Sequence, residues 1–319
     1  METKVLKKRS IEDESLLSYA KQIFEKELKN RLNLSLVTAP LYLPKKSGLN
    51  DDLNGVENAV SFELNGEIHE IVHSLAKWKR WYLGELEVSV GKGLVANMKA
   101  IRADELLSPI HSHYVDQWDW EKVIRKEDRT IENLIKHALE VYQAFIRTEE
   151  LITALQLSRP TLPERFKVIH TEELLQLYPE LNAKEREDVI TNKYGAVLLI
   201  GIGGELSNGA PHDLRAPDYD DWTTADSEGY RGLNADLLVW DSQRGASLEI
   251  SSMGIRVDRK ALIEQLRITA NENRLTLPYH RALLEGELPY TIGGGIGQSR
   301  VAMFVTKKAD IREVQPINV

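Results

Sequence analysis

The stretch "IGGGIGQSR" (residues 292–300) places three consecutive glycines just ahead of an apolar run. Glycine spacing of this kind first suggests a phosphate-cradling loop. A dinucleotide fingerprint needs a strand before it and an acidic residue about 20 positions later. Here the preceding "LEGELPYT" reads as a turn, and 19 residues (319 − 300) follow Arg300, too few for a βαβ unit. The phosphate-loop consensus also fails, because no Gly-Lys-Ser/Thr follows. Taken alone, the glycines read as a flexible lead-in to a helix over 295–307. Other segments must decide whether they do more.

With 319 residues, 42% hydrophobic and 28% charged, the chain has the composition of a soluble globular enzyme with a sizeable core. No apolar run approaches the roughly 20 residues that span a bilayer. The N-terminal "METKVLKKRSIEDESLL" has basic residues but no apolar signal core, so a cytoplasmic location and no membrane partner are expected. The formal charge of −8 argues against a nucleic-acid partner, which needs a basic surface. The absence of cysteine removes disulfides, thiolate metal sites and every cysteine-nucleophile mechanism. No linker or repeat divides the sequence, and residues 1–319 read as a single catalytic domain.

Apolar positions Ile11, Leu16, Leu17, Ala20, Ile23, Phe24 and Leu28 have helical spacing over 11–31. Helices are also predicted over 131–156, 183–194 and 259–269. "EIHEIV" (67–72) is strand-like and leads through Ser74, a candidate N-cap, into "LAKWKRWYLGEL". "AVLLIGI" (196–202) reads as a buried strand. Strands come in adjacent pairs rather than alternating with helices. An α/β fold of the α+β type follows, with a mainly antiparallel mixed sheet flanked by helices.

Two of those strand pairs carry polar faces. In the first, "GLVANMKAIR" (93–102) and "SHYVDQWDWEKVI" (112–124), alternation puts Gln117, Asp119 and Glu121 on one side and Asp116, Trp118 and Trp120 on the other. That polar side is either a solvent face or a ligand floor, with Arg102 at the strand end able to clamp an oxyanion. In the second, "ADLLVWD" (235–241) and "SLEISSMGIRV" (247–257), pairing Asp236 opposite Ser251 would put Asp236, Glu249 and Ser251 on one face. Two carboxylates so placed suit Mg²⁺ together with substrate phosphates. A one-residue slip would send Glu249 to the other face. Between the pairs lies the acid-rich "HDLRAPDYDDW" (212–222), in which Pro217 prevents a regular helix.

An Arg-bearing strand–loop–strand, then an acidic strand with "LEISSMGIR", then a glycine-rich stretch ending in Arg: this order resembles the catalytic core of class II aminoacyl-tRNA synthetases. With "HSLAKWKR" (73–80), "YVDQWDWEKV" (114–123), "RAPDYDDW" (215–222), "SSMGIRV" (251–257) and "ELPYTIGGGIGQSR" (287–300), the chain resembles the asparagine synthetase A family of ammonia-dependent aspartate–ammonia ligases from about residue 10 to 315. The glycine stretch then corresponds to the third synthetase motif, not to a phosphate loop.

That resemblance implies a homodimer and the conversion of L-aspartate, ATP and ammonia to asparagine, AMP and pyrophosphate. It assigns Arg102 to the α-phosphate, Arg300 and Gly295 to the nucleotide, and Asp236 and Glu249 to Mg²⁺ and ATP. Lys77 and Arg256 become candidates for the substrate carboxylates. Gln117, Asp119 and Asp220 become candidates for its amino group and for ammonia, with Asp218 and Asp221 competing for the role of Asp220. Ser251 and Ser252 are hydrogen-bond donors. Some members of the family carry an aspartate in the loop before "LNG". Here "KKSGLNDDLNG" places Ser47 at that position, and Asp51 or Asp52 would substitute. The chain also ends soon after "REVQPINV", earlier than the resemblance leads one to expect. A stand-alone synthetase-like domain acting on tRNA and a non-catalytic aspartate- or nucleotide-binding relative are the alternatives. The acidic charge counts against the first. The intact set of arginines and acids counts against the second.

Overall fold

The computed structural model describes residues 9–51, 53, 57–226 and 229–316. The chain opens with α1 (Ile11–Leu32), β1 (Leu34–Val37), β2 (Tyr42–Pro44), β3 (Ser61–Leu64), β4 (Glu67–Ile71), α2 (Ala76–Glu85), β5 (Gly93–Ile101) and β6 (Tyr114–Val123). It continues with α3 (Ile131–Leu155), β7 (Lys167–His170), α4 (Thr171–Leu177), α5 (Ala183–Tyr194), β8 (Ala196–Ile200), β9 (Asn234–Asp241) and β10 (Ala246–Ile255). It closes with α6 (Arg259–Ile268), α7 (Pro278–Glu285), β11 (Thr291–Gly297) and α8 (Gln298–Val305).

Eight of the described strands form one sheet in the order β1-β5-β6-β11-β10-β9-β8-β7. The outer pairs β1/β5 and β7/β8 are parallel and all others are antiparallel, so the expected mainly antiparallel mixed sheet is present. A small sheet, β2-β4-β3, stands apart from it. Among the described residues no helix is long and apolar enough to cross a membrane.

Helix α1 begins with a capping box, in which the Ser10 hydroxyl accepts from Asp13 N and the Asp13 carboxylate accepts from Ser10 N. It stops at Asn33, whose left-handed φ of 58° ends the turn. Its buried stripe, including Leu17, Phe24 and Leu28, lies against α3 and the sheet. Phe24 stacks on Trp118 with ring centroids 4.5 Å apart. Burying each such side chain contributes roughly 1.5–3 kcal/mol, which commits the Trp118/Trp120 face of β6 to the core. The opposite face, with Gln117, Asp119 and Glu121, is therefore released for other work. Alternation along β6 predicted this division.

Two expectations need correction. The helix predicted over 295–307 starts at Gln298, because Thr291–Gly297 is a strand inserted between β6 and β10. Helix α8 begins where Asp116 accepts hydrogen bonds from the N–H and hydroxyl of Ser299 (3.0 and 2.5 Å). Ser74 is not the N-cap of α2: that position is Leu75, while the Ser74 hydroxyl accepts from Ala76 N (3.3 Å) and donates to Asp51 (2.9 Å).

Why β11 must be glycine is a matter of space. A Cβ on Gly293 would collide with the Glu121 carboxylate, and one on Gly294 would sit 2.6 Å from Ser252 O. Gly293→Ala should therefore destabilise the protein by about 1–3 kcal/mol, the scale of overpacking. Gly84→Ala in α2, where a Cβ meets nothing closer than 3.5 Å, should be neutral or stabilising by about 0.5–1 kcal/mol. Denaturant midpoints of the two variants check the contrast, and equal midpoints would contradict the packing argument.

Candidate active site

The released face of the sheet carries one rung of the site: Asp119 on β6, Gly295 on β11, Ser252 on β10 and Asp236 on β9 are cross-strand partners in succession. Directly opposed residues point to the same face. At roughly 4.8 Å per strand, the two aspartates lie ~14 Å apart at their Cα atoms. Between them a Cβ on Gly295 would come within 2.8 Å of Gln117 Oε1, so glycine keeps the floor flat. Above this floor is a cavity of ≈310 Å³, lined also by Arg102, Arg215, Glu249 and Arg300 toward one end and by Asp220 and Arg256 toward the other.

The second hairpin does not pair as expected. Asp236 lies opposite Ser252, and Ser251 lies opposite Leu237. The anticipated slip of one residue has thus occurred, yet a bulge at Ile250 cancels it. Glu249 is opposite Leu238, which returns it to the face of Asp236. Ser251 instead faces the core and donates to Gly295 O (3.1 Å). The two carboxylates do meet, but by a different route.

Asp236 is ion-paired with Arg215 and stands one layer behind the cavity wall. Burial pushes its carboxyl up to about 7, Arg215 working against the rise and Glu249 adding to it. The Glu249 side chain is 42% exposed. Burial raises its carboxyl less than Arg300, Arg215 and Arg102 lower it, and it is held below the usual range. Arg300 donates to Glu249 O (3.0 Å) and approaches its carboxylate to 3.6 Å. Arg102, at the end of β5, has Nη1 3.9 Å from Glu105, while its buried Nε has no hydrogen-bond partner. Among the described residues, no group of three or more His, Asp and Glu could by itself hold a metal. Two repelling carboxylates are nonetheless a donor set whose strain a divalent cation relieves, provided that substrate oxygens complete its shell.

At the other end Arg256, 2% exposed, binds Glu121 through Nε (2.9 Å) and Nη2 (2.7 Å) and binds Asp220 through Nη1. Of Asp218, Asp220 and Asp221, only Asp220 lines the cavity. Asp221 binds Arg129 (2.6 Å) and caps the turn at Thr223–Thr224. Asp218 is wholly buried, and Lys77 (3.0 Å), His280 (3.0 Å) and Arg274 (3.2 Å) outweigh its burial and hold it ionised. Lys77 is therefore in a buried cluster and not among the residues of the cavity wall. Ser47 spends its hydroxyl on Pro44 O and Leu49 N. Asp51, 3% exposed, holds Ser74 on the cavity wall, and Asp52 lies outside the described residues.

The aspartate–ammonia ligase family matches residues 11–318. The chain belongs to that family. It is a ligase, and family membership makes asparagine synthesis from aspartate its coarse activity. An aspartate–ammonia ligase of Parabacteroides distasonis is 52% identical over 92% of this chain and 87% of the relative. One from Bacteroides thetaiotaomicron is 50% identical over the same shares. Among solved structures, the asparaginyl-tRNA synthetase of Pyrococcus horikoshii complexed with asparaginyl-adenylate superposes with a TM-score of 0.71 at 14% identity. That match covers 96% of this chain and 70% of that one. The Entamoeba histolytica asparaginyl-tRNA synthetase gives 0.70 at 13%, covering 95% of this chain and 66% of its own. At these identities the likeness is one of fold: a class II tRNA synthetase catalytic core.

For this ligase, sequence reading missed Arg215, Ser74 and the buried role of Glu121. Arg215 was visible inside "RAPDYDDW", but its ion-pair partner, Asp236, lies 21 residues away on β9.

Burial pushes the Asp236 carboxyl up to about 7, so a cation held between Asp236 and Glu249 would compete with a proton there. If the pair holds Mg²⁺ beside ATP, catalytic efficiency should fall as pH drops through about 7. Raising free Mg²⁺ should move this acid limb to lower pH, since metal and proton compete for one pair. An acid limb at the same pH in low and saturating Mg²⁺ would contradict the assignment.

Proposed function

We propose that this chain is an ammonia-dependent enzyme that converts L-aspartate to L-asparagine through a β-aspartyl-adenylate, releasing pyrophosphate and then AMP. The observation that carries this reading is the polarity of the cavity floor. Arg102, Arg215 and Arg300 surround Glu249 at one end of β10, beside Asp236, while Asp220 pairs with Arg256 at the other end of the same strand. A nucleotide triphosphate suits the first end. A small molecule with two carboxylates and an ammonium suits the second.

A carboxylate is a poor electrophile, so its oxygen must become part of a leaving group. The side-chain oxygen of aspartate attacks the α-phosphorus, and the bond to the β-phosphate oxygen breaks to release pyrophosphate. Charge accumulates on phosphoryl oxygens, and fixed guanidinium groups stabilise it most. In this reading Arg102 faces the α-phosphate, and Arg300, with the bare backbone of Gly295, holds the nucleotide. Asp236 and Glu249 would hold Mg²⁺, which supplies charge neutralisation at the phosphates when bound. Arg256 takes a substrate carboxylate, with Lys77 the candidate from the deep side. Gln117, Asp119 and Asp220 receive the N–H groups of substrate and ammonia, and Ser252 donates from the floor. Ammonia then attacks the acyl carbon, expels AMP and loses a proton.

The nitrogen source is ammonia because glutamine-dependent amidation uses a cysteine nucleophile, and the sequence has none. We further propose a single catalytic domain that acts in the cytoplasm as a homodimer. The dimer reading is supported by the exposed Leu36 on edge strand β1 and the exposed Tyr19 on α1, apolar surface that a second copy would cover.

Two tests address the chemistry. Aspartate carrying ¹⁸O in its side-chain carboxylate should deliver one label to AMP. Label in inorganic phosphate with ADP as co-product would overturn attack at the α-phosphorus. Arg102→Ala and Arg300→Ala should each lower turnover by at least about 100-fold in folded protein, the scale of losing one transition-state donor. Near-normal turnover in either variant would remove that arginine from the reaction.

A further inference from the structure

Lys79 is a fully buried cation that none of the steps above uses. It comes from α2, which packs on the same face of the sheet as Asp119, and its Nζ donates to Asp119 Oδ1 (2.5 Å), Trp120 O (2.9 Å) and Gly294 O (3.3 Å). Those three acceptors exhaust the donors of an ammonium group. Two of them, Asp119 and Gly294, belong to residues that line the cavity. The other carboxylate oxygen, Asp119 Oδ2, is buried and has no hydrogen-bond partner. A buried carboxylate oxygen left unpaired is costly, and a site that maintains one is built for an incoming donor.

We infer that Lys79 is a positioning residue: it fixes the orientation of the Asp119 carboxylate, so that Oδ2 receives an N–H of a cationic nitrogen. This inference rests on the cavity being the aspartate–ammonia site. The nitrogen belongs either to the α-ammonium of aspartate or to the ammonium that supplies the amide. Neither Lys79 nor Asp119 changes covalent bonding.

The test uses the full chain with Lys79→Met, Asp119→Asn and the double variant, assayed for asparagine formation with aspartate and ammonium chloride varied in turn. Lys79→Met should lose at least about tenfold in kcat/KM, mainly through KM with kcat nearly kept, a split that a general loss of folding would not produce. The KM that rises, for aspartate or for ammonium, identifies which nitrogen Oδ2 receives.

In the Asp119→Asn background, adding Lys79→Met should cost less than about threefold, because the two act as a unit. This comparison stands even if Lys79→Met alone does not fold, since the double variant buries no unpaired charge. A further loss of about tenfold or more in that background, or an unchanged kcat/KM in folded Lys79→Met, overturns the inference. If Asp119→Asn itself retains full efficiency, the assignment of the cavity falls first and the role of Lys79 with it.

Discussion

Arg256 and Glu121 are joined across a strand that belongs to neither. Glu121 is on β6 and Arg256 follows β10, and β11 runs between them. The two side chains meet only because Gly293 has no Cβ to block the carboxylate. On the far side Gly254 makes the same concession to Asp220, whose Oδ1 would be 2.5 Å from an added Cβ. Burying such charges is expensive unless every one of them is matched, and breaking one partner of such a pair typically costs several kcal/mol. The cluster ties three central strands and the 215–222 loop to one guanidinium. The shape of the floor above it depends on that tie.

Much of this was legible in the sequence where burial alone decides structure. Alternation along 114–123 separated Trp118 and Trp120 from Gln117 and Asp119, since a strand with one committed face has no freedom to slip. Helices α1, α3 and α5 followed from spacing and caps. The glycine strand was not legible in this way. A run of glycines has no hydrophobic period and poor intrinsic β-propensity, so local rules assign it to a turn or lead-in. It is a strand because the side chains of its neighbours occupy the space above it. Only resemblance to known motifs gave "IGGGIGQSR" a role beyond flexibility.

The site was half legible for a related reason. The resemblance to known motifs pointed to Arg102, Arg300, Glu249, Asp220 and Arg256, and all five line one cavity. Register placed Ser251 on the wrong face, because a bulge at Ile250 shifts the pairing without leaving a mark in composition. Lys77 and Asp51 depend on partners distant in sequence, Asp218 and Ser74, which no spacing rule connects. Among Asp218, Asp220 and Asp221, only the fold could say which one turns toward the cavity.

Strand β11 is the last of the described strands in the chain and the middle of the sheet. Before residues 291–297 leave the ribosome, β1, β5 and β6 can form one ladder and β7 to β10 another, but nothing pairs the two. Each half then presents an open edge, β6 on one side and β10 on the other, to solvent or to another nascent chain. Unpaired edges of this kind invite intermolecular pairing. A slender strand with four glycines among its seven residues is well suited to closing such a gap late, since it displaces few side chains on entry. Substitutions that slow its docking would first be felt as poor yield of soluble protein during synthesis, before any loss of turnover in the molecules that finish.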